Sequence, residues 1–353
     1  MIVYDTRLES ARQPVGQCAA HPRAALFFYE DLMFVDIVEI VVGLVLLVWG
    51  ADRFVYAASA GARNLGIPPL MIGLTIVAFA TSAPEILVSV VAAFGGQPGL
   101  AFGNAIGSNI VNIGLVLGCT ALLKPIQLRS ATLRREMPAL LAVSLLTVSL
   151  FLDSFLSRID GLVLLTGLVI VMIWLARLGM RSATNDPLVV DYEAEIPKHA
   201  NKQKVAIWFV IGLIMLLVGA NLLVEGSIDM AHILGVSEVV IGITLVALGT
   251  SLPELAVSIV SVLRKEYGLA IGNIVGSNIF NLLAVIGIAA VIEPSAVAPS
   301  VLSLHIFVMV AFTLVLFAMT YDYDGKSEVT RLEGFALLIA YLAYISYVIV
   351  QNV

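Results

Sequence analysis

Long apolar runs separated by short polar connections cover the chain from residue 35 to residue 350. A helix needs about 20 apolar residues to cross the hydrocarbon core of a bilayer. On that measure the pattern predicts about ten transmembrane helices, at 35–57, 69–94, 99–122, 137–155, 159–178, 205–232, 238–262, 268–292, 300–320 and 331–350. One longer polar segment, with Asp186, Asp191, Glu193, Glu195, Lys198 and Lys202, divides them five and five. The expected organisation is an N-terminal tail at 1–34, a first group of five helices at 35–178, a linker at 179–204 and a second group at 205–353. The tail carries Arg7, Arg12 and Arg23 without helical periodicity and reads as disordered. Met33, directly before the first apolar run, is an alternative start.

Two of the apolar runs contain the same polar interruption, Thr81-Ser82-Ala83-Pro84-Glu85 and Thr250-Ser251-Leu252-Pro253-Glu254. An ionisable side chain at membrane depth costs several kcal/mol unless it faces a polar cavity, so each glutamate marks a functional site. Pro84 has no N–H to give the carbonyl of Ala80, and its ring crowds that carbonyl. The helix is therefore expected to bend or break one turn before the acid and to leave free carbonyl groups beside it. Carboxylate, hydroxyl and carbonyl oxygens together suit alkali and alkaline-earth cations. At helical spacing Ala78, Thr81, Ser82, Glu85 and Ser89 share one face, as do Ala247, Thr250, Ser251, Glu254 and Ser258.

The interruptions belong to a larger repeat. A constant offset carries Gly73–Gly118 onto Gly242–Gly287 without a gap, and half of the positions are identical, among them Asn104/Asn273, Ser108/Ser277, Asn109/Asn278 and Asn112/Asn281. Shared hydrophobicity does not place polar residues in register, so the chain is an internal duplication. The glycines of Gly103-Asn104-Ala105-Ile106-Gly107-Ser108-Asn109 and its copy permit either close helix approach or a break. Five spans per copy is an odd number, which predicts that the second copy is inverted in the membrane. Loop charges agree. Gly95-Gly96-Gln97-Pro98 has no basic residue whereas its counterpart begins Arg264-Lys265, and Lys124, Arg129, Arg134 and Arg135 follow the third span whereas 293–300 has none. With Arg63, Lys198, Lys202, Lys204, Lys326 and Arg331 on the same side and Arg158 opposing, the positive-inside rule puts both membrane-proximal termini outside. The tail arginines dissent.

Composition narrows the classes further. Sixty per cent hydrophobic and 12% charged residues in 353, with a mean hydropathy of +1.03, define a polytopic membrane protein. Two cysteines make neither a disulfide framework nor a metal cluster, and no basic patch with interleaved aromatics points to nucleic acid. Paired discontinuous segments in inverted halves point to a secondary transporter with a midplane site. An intramembrane enzyme would need its two acids in different surroundings, whereas these surroundings are near duplicates. A channel fits inverted repeats with broken helices less well than alternating access does. Small residues and hydroxyls in membrane helices also serve packing, which is the reading for Thr75, Thr244, Ser89 and Ser258 taken singly. Asn104, Asn109, Asn273 and Asn278 either cap broken helices or serve the site. Asp52 beside Arg53, Glu225 and Asp229 lie near span ends and read as snorkelling or salt-bridging groups. His232 and His305 read as interfacial or core residues.

The two Gly-Asn-x-x-Gly-Ser-Asn segments, with Ala-Thr-Ser-Ala-Pro-Glu and Gly-Thr-Ser-Leu-Pro-Glu, resemble the paired alpha repeats of the calcium/cation antiporter superfamily, in particular prokaryotic sodium/calcium exchangers. The resemblance covers residues 35 to 350. It implies an all-α polytopic protein of two inverted five-helix repeats with broken helices at the midplane. The implied activity is electrogenic antiport, with about three sodium ions and one calcium competing for overlapping central sites. Glu85 and Glu254 would be the central ligands, and Thr81, Ser82, Thr250 and Ser251 would add hydroxyl or carbonyl oxygens. Ala78 and Ala247 would offer backbone carbonyls to outer sodium sites, which Ser108 and Ser277 would complete. Asn112 and Asn281 would lie beside the carboxylates. The first and sixth spans would slide across the other eight. Some relatives, potassium-dependent ones among them, have Asp where Asn281 stands, so this chain fits potassium dependence less well. Calcium and sodium are the implied substrates, with no cofactor and no obligate protein partner. The implied location is a prokaryotic inner membrane. A proton-coupled calcium or other divalent-cation antiporter would use the same residues and is the alternative.

Overall fold

The computed structural model describes residues 22–127, 133–182, 200–234, 247–297, 301–320 and 328–352. These residues are almost entirely helical. In chain order the helices are α1 (Pro22–Leu65), α2 (Pro69–Thr81), α3 (Ala83–Phe94), α4 (Pro98–Leu123), α5 (Leu133–Leu150), α6 (Arg158–Ser182), α7 (Lys202–Ile233), α8 (Ala247–Gly249), α9 (Leu252–Leu263), α10 (Tyr267–Ile292), α11 (Ile306–Thr320) and α12 (Arg331–Asn352). Six of the helices are long and apolar enough to cross a bilayer, and a seventh span forms if α2 and α3 count as one bent pair. Shorter apolar stretches at Glu136–Leu150, Leu252–Leu263 and Ile306–Met319 lie where the other predicted spans stand. Residues 235–246, including Thr244 and the start of the predicted seventh span, lie outside the described residues. So do 1–21 and 183–199, which hold most of the expected tail and linker.

The helices sort into an inner and an outer set. The central windows of α4 and α10 are mostly buried, whereas those of α1, α6, α7 and α12 expose apolar side chains such as Val41, Ile170, Ile214 and Ile339. In water such a surface would be unfavourable; facing lipid it is the expected exterior of a membrane protein. The longest helices, α1 at 44 residues and α7 at 32, pack against each other along their length. Glycine makes this possible: a Cβ on Gly50 would meet the backbone N of Leu216 at 2.5 Å, and one on Gly219 would run into that of Leu47. Backbones that close leave no room for any side chain.

The duplication is visible in packing as well as in sequence. Gly161 of α6 packs against Gly287 of α10, and Gly334 of α12 packs against Gly118 of α4, with each pair made from equivalent positions of the two halves. Two short antiparallel ribbons repeat the relation. Ile126–Gln127 (β1) pairs with Glu328–Val329 (β4), and Phe155–Leu156 (β2) pairs with Ser295–Ala296 (β3). The turns after α3 and α9 are also duplicates, since Gly96 and Lys265 occupy equivalent positions and both have positive φ, 72° and 63°.

Two findings depart from the sequence analysis. First, α1 begins at Pro22, so residues 22–34, expected in the tail, form its N-terminal turns. Its length of about 66 Å at 1.5 Å per residue far exceeds a bilayer core. Second, the Gly-Asn-x-x-Gly-Ser-Asn segments do not break their helices. Both run on as continuous helices of 26 residues, Pro98–Leu123 and Tyr267–Ile292, and the irregularity comes afterwards as π-helical turns at Asn112–Leu117 and Asn281–Val285. On the first copy's partner helix, Gly73–Val77 is likewise π-helical. The glycines of the second copy serve close approach: a Cβ on Gly272 would meet the carbonyl oxygen of Leu70 at 2.5 Å.

Candidate ion-binding site

The expected breaks lie where the prolines put them. Ser82, at φ −82° and ψ 6°, leaves the helical region between α2 and α3, whose axes differ by 43°. Ser251, at φ −92° and ψ 5°, does the same ahead of α9. Pro84 and Pro253 fall in the first turn of the following helix, where a missing N–H costs nothing. Glu85 and Glu254 therefore stand in the first turns of α3 and α9, at the helix ends whose free N–H groups and dipole favour negative charge.

Both acids are fully buried, and the two halves supply each other's surroundings. Ser82 donates its hydroxyl to Oε1 of Glu254 at 3.1 Å, across the repeat boundary. Ser277 donates to the same oxygen at 3.2 Å. Thr81 donates to Oδ1 of Asn273 at 3.0 Å and lies 3.4 Å from the hydroxyl of Ser277. Reciprocally, Thr250 and Ser251 stand beside Glu85. The Thr-Ser pair of each half thus faces the glutamate of the other half.

The asparagines that sequence left between capping and binding act as braces. Asn104 donates to the carbonyl of Glu85 at 3.4 Å and to the hydroxyl of Ser89 at 3.3 Å, tying α4 to α3. Asn273 makes the equivalent pair to Glu254 and Ser258 at 3.3 and 3.2 Å, tying α10 to α9. Ser89 and Ser258 serve this packing. Asn109 donates back to the carbonyl of Ala105 at 2.7 Å, and Thr75 to that of Met71 at 2.7 Å. Asn112 donates to Oδ1 of Asn278 at 3.1 Å, another contact across the boundary. The carbonyl of Ala78 accepts from the N–H of Ser82 at 2.9 Å and from the Thr81 hydroxyl at 3.3 Å, while Ala247 opens the short helix α8.

What the site leaves unsatisfied defines its chemistry. Among the described residues, both carboxylate oxygens of Glu85, Oε2 of Glu254, the hydroxyls of Ser108 and Ser251, Oδ1 of Asn112 and the whole side-chain amide of Asn281 are buried without a hydrogen-bond partner. Buried polar groups in native proteins are paired as a rule, and an unpaired carboxylate is the costliest exception. Apart from the Asn281 amide nitrogen these are hard oxygens drawn from both halves, and cations are what such oxygens take. Sequence reasoning missed the π-turns that begin at Asn112 and Asn281; an i→i+5 turn at a buried polar residue is a recurrent mark of functional sites. Of the other groups, Asp52 pairs with Arg264, its Oδ1 accepting from Nε at 2.8 Å, while Arg53 stacks on Trp49 and Trp208. His305 bonds the hydroxyl of Tyr344 at 2.7 Å within the protein.

An α-helical membrane protein with two buried glutamates on broken helices is of the cation-transporter class. The sequence profile described as "Sodium/calcium exchanger protein" matches residues 36–179 and 204–350. The chain belongs to that family, and it is a membrane antiporter of the prokaryotic calcium/cation group, not an enzyme. The putative antiporter CaxA of Alkalimonas amylolytica is 46% identical over 312 residues, covering 88% of this chain and 98% of that protein. The inner membrane protein YrbG of Escherichia coli is 38% identical, covering 88% and 98%. The sodium/calcium exchanger MaX1 of Methanosarcina acetivorans is 32% identical, covering 89% and 98%. Among solved structures, the sodium-calcium exchanger NCX_Mj soaked with sodium and strontium superposes with a TM-score of 0.77 at 34% identity, covering 89% of this chain and 98% of that one.

Proposed function

We propose that this chain exchanges sodium ions for calcium across a prokaryotic inner membrane by alternating access, through ten helices arranged as two inverted repeats of five, with residues 179–204 as a cytoplasmic linker. The observation that carries the reading is the set of unpaired acceptor oxygens that both halves turn into one buried site. Glu85 and Glu254 are the central ligands. Thr81, Ser82, Thr250 and Ser251 complete the inner site, Ser108 and Ser277 with the carbonyls of Ala78 and Ala247 form the outer sodium positions, and Asn112 and Asn281 flank the carboxylates. Two carboxylates buried together repel unless cations fill the space between them. An empty site is therefore costly to carry across the membrane, and occupancy by calcium or by several sodium ions relieves that cost. This is the physical basis of obligatory exchange.

Contacts at one end of the bundle support the inverted arrangement. Arg63 pairs with Glu266 at 2.6 Å, Lys124 lies over the ring of Tyr267 and Arg331 reaches the carbonyl of Leu123 at 3.4 Å, so basic residues from four connections, that of Arg264 and Lys265 included, gather at this end. That end is the cytoplasmic one by the positive-inside rule, which leaves both membrane-proximal termini outside.

Sealed proteoliposomes loaded with sodium, potassium, choline or a proton gradient test the coupling. Calcium uptake is expected only with internal sodium, with a rate that follows membrane potential, and Glu254→Gln is expected to abolish it. Uptake driven by the proton gradient alone would replace sodium with protons as the driving ion.

A further inference from the structure

A second group of acids lies far from the central site, at one end of the α1–α7 pair. Asp36 and Glu39 are three residues apart on α1 and share a face, and Asp229 lies near the end of α7. One carboxylate oxygen from each of the three falls within 4.8 Å of the other two. The juxtaposition is built into the packing. Gly226, one turn before Asp229, would bring a Cβ to 2.9 Å from the carbonyl oxygen of Asp36 and 3.1 Å from Cβ of Glu39, so only glycine lets α7 approach α1 here.

Asp36 provides an independent sign of a ligand. It is 4% exposed, and its Oδ2 has no hydrogen-bond partner among the described residues. A carboxylate buried in that way is expensive unless a cation or proton meets it. Two oxygens bound to one calcium at about 2.4 Å cannot stand more than about 4.8 Å apart, a condition that the three acids meet. Ionised carboxylates offer only acceptor lone pairs, and an all-oxygen set selects a hard cation over a thiophilic one.

We propose that Asp36, Glu39 and Asp229 form a second divalent-cation site, suited first to calcium, that clamps α1 to α7. It lies about 40 Å along α1 from Arg63, at the end of the pair away from the ion pairs of Arg63 and Arg264. Unlike the central site it binds between two helices that pack on each other throughout, so its ion fixes their register and is not carried across. The proposal does not depend on which ions the central site exchanges.

The test removes the central carboxylates and asks what binding survives. Full-length chain carrying Glu85→Gln and Glu254→Gln is dialysed to equilibrium in detergent against labelled calcium, and its melting temperature is followed with calcium alone. One saturable calcium per chain and a calcium-dependent rise in melting temperature are expected. Adding Asp36→Asn, or separately Asp229→Asn, is expected to weaken that binding at least tenfold and to remove the thermal response. Absence of saturable calcium in the parent, or binding that neither added substitution changes, would overturn the proposal.

Discussion

At the scale of single residues, the site is defined by which oxygens have a donor and which do not. Oε1 of Glu254 accepts from Ser82 and Ser277, whereas Oε2 has no partner. An ion entering the site must draw the hydroxyl of Ser277 round so that its lone pairs, not its proton, face the cavity. Ser277→Ala deletes one such oxygen with little change of volume. A hydrogen bond or ligand contact of this kind has a net worth of about 0.5–1.5 kcal/mol, so the half-saturating sodium concentration should rise roughly 2–10-fold while calcium-driven exchange persists. Transport titrated against sodium checks this, and an unchanged sodium dependence would remove Ser277 from the ligand set. Glu85, Glu254 and the two prolines were legible in the sequence because an acid and a helix breaker inside an apolar run have few bland explanations. The cross-boundary pairings were not. Nothing local in Thr81-Ser82 says that they serve the other half's glutamate; that follows only from the way the halves interlock.

At the scale of elements, the pair α1 and α7 is set apart by backbone contact. The same device runs along the crossing, from Gly43 against Leu223 through Gly50 against Leu216 to Gly212 against Phe54. A methyl group at Gly50 meets main-chain atoms that cannot rotate away, so the helices must separate. Gly50→Ala is expected to lower stability by about 1–3 kcal/mol, the usual cost of overpacking, and to slow exchange. Gly61, further along the same helix, is the control. A Cβ there would lie 3.6 Å from Cγ1 of Val205, ordinary contact, and Gly61→Ala should raise stability by up to about 1 kcal/mol through helix propensity. Melting temperatures of the two variants in one detergent decide the matter, and equal effects would mean that the close approach is not structural. Periodicity and apolar length sufficed to locate the six long apolar helices of the described residues, yet they could not show the π-turns at Asn112 and Asn281. A π-turn accommodates one surplus residue by tertiary fit and has no composition of its own. The N-terminal turns of α1 were missed for a related reason, since Arg23, Glu30 and Asp31 divide residues 22–34 into apolar stretches too short to read as part of a span.

At the scale of the whole molecule, the question is whether the two halves face opposite sides of the membrane. Their internal packing is duplicated down to the left-handed residue in the turn after the glutamate helix, Gly96 in one half and Lys265 in the other. A non-glycine residue holds that conformation at a cost of about 1–2 kcal/mol, so a retained turn geometry at Lys265 says that the duplicated architecture overrides local preference there. The charge does not follow the duplication. Gln97 and Glu266 hold equivalent positions, but Arg264 and Lys265 have only Gly95 and Gly96 as counterparts. Basic residues are retained on the cytoplasmic side, and a pair of duplicated turns that differ in this way is accounted for if one turn lies on each side. Single cysteines at Gln97 and Lys265, both exposed, in a chain with Cys18 and Cys119 replaced by serine, give the direct measurement. A membrane-impermeant maleimide added to right-side-out vesicles is expected to label the cysteine at position 97 and to spare that at 265, and inside-out vesicles are expected to reverse the pattern. Labelling of both from one side would mean that the halves are parallel, and the two carboxylates would then have to meet by some path other than a pseudo-twofold axis in the membrane plane.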